Sequence, residues 1–257
     1  MRIENDHDGW WHSEQRLPYV PDFDSNNVSD DVAYPTRGSG KGAARDIIET
    51  VVITLLIFFM VRSVVQNFRV EGDSMLPTLH TEERLLVNSG LYYRYDANFL
   101  SRLFNPDLPT DMRYLFHGPQ RGDIIVFQAP IEDKDFIKRV IATEGETVQI
   151  KADKDPVGDP KRDCGECGVF VDGVKLNEPY IKQNPDYNFP PDGGVYTVPR
   201  DRVFVMGDNR RNSSDSHIFP EHAITVESIV GTAFVSYWPQ DHWGLLPHPT
   251  YAEIKQK

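Results

Sequence analysis

At 257 residues the chain is long enough for one sizeable domain with appendages, or for two small domains. A formal net charge of -12 argues against a nucleic-acid partner, which needs clustered Lys and Arg. Two cysteines, Cys164 and Cys167, are too few for a disulfide-scaffolded small fold. With no His-Glu-x-x-His spacing and no second cysteine pair, neither a metal nor another cofactor is expected.

Taken in chain order, residues 1–45 are rich in Asp, Asn, Ser, Pro and Gly and are expected to form a disordered tail. Within it, Gly38-Ser39-Gly40-Lys41-Gly42 fails the phosphate-loop pattern. Pro35 stands where the first glycine belongs, and Gly42 replaces the Ser or Thr. From Ile47 to Phe68 the chain is almost continuously apolar, the length a membrane-spanning helix needs, and a span is predicted over 46–68. The run starts too late for a cleaved signal peptide, and no small-x-small site follows it. Arg37, Lys41 and Arg45 precede it, against Arg62 and Arg69 within or after its end. This slight excess leans toward a cytoplasmic N-terminus.

Next comes the octet Gly72-Asp73-Ser74-Met75-Leu76-Pro77-Thr78-Leu79. Pro77 blocks helix continuation, and Gly72 permits close backbone approach, so Ser74 reads as held on a constrained loop. The bland alternative is a turn with a solvated hydroxyl. Beyond the octet, short β-type runs separated by Gly and Pro predict strands at Arg84–Asn88, Asp123–Phe127, Phe136–Thr143, Thr147–Lys151, Val169–Val171, Val203–Met206 and Ile229–Tyr237. Together they predict a mostly β domain of antiparallel sheet over 69–257. Three excursions interrupt it: an aromatic one over 91–120, one over 153–167 and a proline-rich one over 177–199.

A nucleophilic serine needs a base. The eight histidines lie scattered through loops and read as surface residues. The candidate base is Lys138, on a strand where Phe136, Lys138, Val140 and Ala142 share a face. Loss of hydration there would favour the neutral amine. The alternative is that Lys138 faces solvent and Arg139 points inward. A third segment, Gly207-Asp208-Asn209-Arg210-Arg211-Asn212-Ser213-Ser214-Asp215-Ser216-His217, reads as a fixed polar loop after a buried strand, or as a solvated Asx-rich turn.

Together these segments resemble the bacterial type I signal peptidases, membrane-bound serine–lysine endopeptidases. Ser74-Met75-x-Pro77-Thr78-Leu79 is similar to the nucleophile box, and Arg121-Gly122-Asp123-Ile124-Ile125-Val126-Phe127 to the strand that follows it. Lys138-Arg139-Val140-Ile141 is similar to the lysine box, and Gly207-Asp208-Asn209-Arg210-x-x-Ser213-x-Asp215-Ser216 to the last. The resemblance implies Ser74 as nucleophile, with its backbone N–H as oxyanion donor. It implies Lys138 as general base, Ser213 bonded to the lysine amine, and Asp208, Asn209, Arg210 and Asp215 as a supporting polar loop. It further implies cleavage of signal peptides from exported preproteins through an acyl-enzyme at the bacterial cytoplasmic membrane. The tail would be cytoplasmic, the β-rich domain extracytoplasmic and the secretion translocon near by.

Met75 and Leu76 are expected to touch substrate or acyl chains. Three departures stand out. Gly72 lacks the hydroxyl that some members use as a second oxyanion donor. His217 replaces the usual arginine, so Asp215 is expected to pair with Arg210. Glu144-Gly145-Glu146 replaces Pro-Gly-Asp.

Cys164-Gly165-Glu166-Cys167 leads into a strand rather than a helix, which favours a structural disulfide over a thioredoxin-like motif, with two reduced free thiols as the alternative. Three other readings remain: a self-cleaving repressor-type protein, a membrane-tethered thiol oxidoreductase, and a non-catalytic membrane-anchored β module. The last requires Ser74 and Lys138 to lie far apart.

Overall fold

The computed structural model describes residues 40–152, 164–249 and 251. Of the disordered tail expected over 1–45, residues 1–39 lie outside the described residues, as do residues 153–163 of the excursion expected over 153–167, whereas residues 40–45 are helical. Helix α1 (Gly40–Val64) takes up most of the apolar run. Within Ala44–Val64 its most apolar 18-residue window has a mean hydropathy of 2.2, and none of that window is buried. The 21 residues of Ala44–Val64 rise about 32 Å at about 1.5 Å each, which is enough to cross a bilayer's hydrocarbon layer.

The run divides at Val64, four residues before the expected end, because residues from Val65 onward find a strand partner. β1 (Val65–Arg69) pairs antiparallel with β2 (Arg84–Asn88), from Val65 opposite Asn88 to Arg69 opposite Arg84. Polar Gln66 and Asn67 make this stretch a poor continuation in lipid, while Phe68 packs against the core. Ser89 ties the junction by donating its N–H (2.8 Å) and Oγ–H (2.9 Å) to the Val64 carbonyl.

The aromatic excursion forms a small hairpin, β3 (Arg94–Asp96) with β4 (Met112–Tyr114), around one helical turn, α2 (Phe99–Arg102). Tyr92 and Tyr114 pack on the core, whereas Phe99, Leu100, Leu103, Phe104 and Phe116 are exposed. β5 (Ile124–Gln128) and β6 (Asp135–Ala142) form the next hairpin. A four-stranded sheet follows: β7 (Thr147–Ala152), β8 (Cys167–Val171), β9 (Val174–Lys175) and β10 (Tyr196–Thr197), in the order β10-β7-β8-β9. β11 (Arg202–Met206), β12 (Ile224–Thr225), β13 (Ile229–Trp238) and β14 (Gly244–Leu245) complete an eight-stranded antiparallel sheet. Its order is β1-β2-β13-β5-β6-β11-β12, with β14 paired to β13.

β5 explains the unbroken Ile-Ile-Val-Phe run. Ile124 and Val126 pack on one side with Met75, Leu79, Leu85 and Val87. Ile125 and Phe127 pack on the other with Val140, Val205 and Phe219. A strand buried on both faces has no polar alternation to show.

Candidate active site

The octet folds as a tight loop between β1 and β2, closed by the Leu79 N–H to the Met75 carbonyl at 3.0 Å. Gly72 has φ +84, a backbone region that L side chains rarely adopt. That conformation accounts for the glycine, which brings no hydroxyl to the site. Met75, expected to touch substrate or acyl chains, is 1 % exposed and packed in the core with Leu79 and Leu85, so it anchors the loop instead. Leu76 is half-buried, and it does not line the cleft described below.

The polar loop after β11 grips the octet from the other side. The Asn209 N–H donates to the Ser74 carbonyl at 2.9 Å, and Asn209 Nδ2 donates to the Asp73 carbonyl at 3.0 Å. Asp208 accepts from Thr78 Oγ1 at 2.5 Å. Gly207 makes this close approach possible, since an added Cβ would overlap both Ser213 Oγ and the Ser74 carbonyl oxygen.

β6 supplies two buried cations where sequence alternation allows one. Arg139 is fully buried and forked onto Asp208 at 2.9 and 2.7 Å, so its charge is neutralised in place. Lys138 is 3 % exposed and, among the described residues, has no carboxylate at bonding distance. Its Nζ lies 2.7 Å from Ser74 Oγ, 3.0 Å from the Ile137 carbonyl and 5.2 Å from the Phe136 ring centre. Burial lowers the Lys138 amine from 10.5 to about 8, against the opposing pull of the Asp215 and Asp208 carboxylates. The separation that the binding-module reading requires is absent.

Ser213 shares the cleft with this pair, but the expected bond from its hydroxyl to the lysine amine is not formed. Its Oγ is buried and, among the described residues, unpartnered. The expected Asp215–Arg210 pair is also replaced. Arg210 forks onto Glu178, with Nη1 to Oε2 at 2.7 Å and Nη2 to Oε1 at 2.5 Å, and also bonds the Gly207 carbonyl. Asp215 accepts the Gly207 N–H at 2.9 Å and sits 2.6 Å from His217 Nδ1. His217 thus takes the place beside Asp215, and its ring stacks on Tyr187 with centroids 4.0 Å apart. Glu178 was missed because nothing marks one acidic residue in a proline-rich excursion. Glu146, from the altered Glu144-Gly145-Glu146 turn, is buried against Arg121 and accepts the Thr143 N–H at 2.7 Å.

Ser74, Lys138 and Ser213 line a cleft of about 850 Å³. Phe68, Val70, Leu85, Val126, Phe136 and Ile137 give it an apolar wall. A cleft of this kind can receive an extended chain with small apolar side chains beside the serine.

The family model for signal peptidase, peptidase S26, matches residues 44–238, from the apolar helix to the end of the long last core strand. The chain belongs to this signal peptidase family. It is 34 % identical over 214 residues to the signal peptidase I of Leptolyngbya laminosa, a match covering 79 % of this chain and 85 % of that protein. It is 31 % identical over 207 residues to the signal peptidase I P of Bacillus subtilis subsp. natto, covering 76 % and 90 %. Family membership supports a signal-peptidase-like endopeptidase function with a membrane context.

Cys164 and Cys167 form a disulfide, and Cys167 opens β8 rather than a helix.

Proposed function

We propose that this chain is a membrane-bound serine endopeptidase that removes N-terminal signal peptides from exported preproteins through a Ser74–Lys138 dyad. The observation that carries the reading is the 2.7 Å approach of the Lys138 amine to Ser74 Oγ. The amine is buried and pushed down to about 8. A neutral amine accepts the hydroxyl proton as the serine oxygen attacks the scissile carbonyl. The resulting oxyanion is held by the Ser74 backbone N–H. Lys138, now protonated, returns its proton to the leaving amine, and the signal peptide stays as an ester on Ser74. Water, deprotonated by the same lysine, then attacks the ester; the C–Oγ bond breaks, Lys138 returns the proton to Ser74 Oγ, and the peptide acid leaves. Ser213 is proposed to close on the lysine amine when substrate fills the cleft, since its buried hydroxyl has no other partner among the described residues.

For placement, α1 is proposed as a single span with the tail on the cytoplasmic side. The β-rich domain is proposed to lie outside, near the translocon that delivers its substrates. A disulfide fits that oxidising side. The test is cleavage of a preprotein in detergent or lipid, with the product N-terminus sequenced. Ser74→Ala is expected to abolish cleavage while its thermal unfolding stays cooperative. Wild-type-like cleavage by a folded Ser74→Ala chain would refute the proposal.

A further inference from the structure

Away from the cleft, one set of side chains carries donor chemistry that peptide hydrolysis does not use. His80 follows the serine octet directly, Glu83 ends the same loop one residue before β2, and His242 closes the helical turn of residues 240–242 after β13. Their ligand atoms all lie within 4.8 Å of one another. Both imidazoles converge on a single oxygen: His80 Nδ1 is 3.0 Å and His242 Nδ1 is 2.6 Å from Glu83 Oε1. Glu83 is buried and held in place, its Oε2 accepting from Ser236 Oγ at 3.1 Å and its Oε1 from the His80 N–H at 2.9 Å. The two histidines are partly exposed, with ring centroids 4.6 Å apart, so the solvent side of the cluster is open.

We propose that His80, Glu83 and His242 form a binding site for one zinc-like divalent ion, which clamps the loop carrying Ser74 to the segment after β13. A tetrahedral ion with bonds of ~2.0–2.1 Å holds its ligand atoms ~3.3 Å apart. The observed separations of 3.0 and 2.6 Å fall about 0.3 and 0.7 Å short of that spacing, and rotation of the partly exposed rings supplies the difference. Two imidazoles with one carboxylate select a borderline transition metal over Ca²⁺ or Mg²⁺, which prefer all-oxygen sets. A dication would also offset the cost of keeping the Glu83 carboxylate out of water. The open solvent side leaves the fourth position to water. The site escapes a sequence reading because Glu83 and His242 are 159 residues apart.

The experiment uses the full chain, without a histidine tag, purified in detergent, stripped with chelator and titrated with Zn²⁺ by calorimetry. Metal content is measured after dialysis. The expected result is one saturable Zn²⁺ per chain and a higher unfolding midpoint with metal. The double variant His80→Ala/His242→Ala removes only partly exposed rings, so it is expected to fold, and to bind Zn²⁺ roughly 100-fold or more weakly. Ser74→Ala is expected to bind the metal like the wild type, which separates this outcome from that of the peptidase reading. Absence of saturable binding, or equal affinity in the double variant, would overturn the site and leave the two imidazoles as hydrogen-bond partners of a buried carboxylate.

Discussion

The buried amine of Lys138 sets a pH profile that can be worked out in advance. With its midpoint at about 8 instead of 10.5, the neutral, proton-accepting form makes up about 1 % at pH 6, about 10 % at pH 7 and half at pH 8. The peptidase rate at subsaturating preprotein is therefore expected to rise about 50-fold from pH 6 to pH 8 and to level off above pH 9. Asp215 holds the amine up more strongly than Asp208 does, because the charge of Asp208 is offset by its fork with Arg139. Asp215→Asn keeps an acceptor for the Gly207 N–H while removing the charge, so its midpoint is expected to fall below that of the wild type. A midpoint lower by one pH unit raises the rate at pH 6, relative to the plateau, about tenfold. The assay is initial-rate cleavage of a preprotein in detergent across pH 6 to 10, with folding checked at each end. A flat wild-type profile, or an Asp215→Asn midpoint shifted upward, would refute the reasoning.

The same amine bears on stability. Its folded value lies below its unfolded one, so the unfolded chain binds more protons, and stability should rise with pH between about 8 and 10.5. Lys138→Met should therefore be inactive yet more stable near pH 7, by up to about 3 kcal/mol in denaturant unfolding; a less stable variant would contradict this. Asp208→Asn leaves Arg139 buried with half its fork and is expected to cost about 3–5 kcal/mol, measured the same way. Gly207→Ala forces a Cβ into Ser213 Oγ and the Ser74 carbonyl, and should lower both cleavage and stability, the latter by about 1–3 kcal/mol. The Cys164–Cys167 bridge closes a very short loop and is expected to contribute about 2 kcal/mol or less. Without prior reduction the native chain should take up no alkylating reagent in a mass measurement.

Much of the fold is legible in the sequence wherever one strand face meets one core. Arg84–Asn88 forms the expected strand in full, and the other six expected strands are found with ends displaced by only one or two residues. The helix end was not legible. Val65 and Phe68 read as the tail of the apolar run, and although Gln66 and Asn67 weaken it, only the pairing with β2, a non-local contact, shows that a strand begins at Val65. Ser74 and Lys138 stood out because their residue types are costly where they sit, one on a proline-broken loop and one among apolar neighbours. Their partners were harder to read. Asp208, Asp215 and Arg210 were visible as a polar loop, but the choice among Arg139, His217 and Glu178 is made by side chains that meet only in the folded chain. Met75 misled because an apolar residue beside a reactive serine looks the same in sequence whether it faces a ligand or the core.

The claim that an amine at position 138 is the base has one direct test. Lys138→Cys can be converted to a lysine analogue with 2-bromoethylamine, because Cys164 and Cys167 are bonded to each other and protected from the reagent. The unmodified variant is expected to leave a preprotein uncut, and the aminoethylated one to recover cleavage that again rises with pH. Cleavage by the unmodified Lys138→Cys chain at the wild-type rate would contradict the dyad.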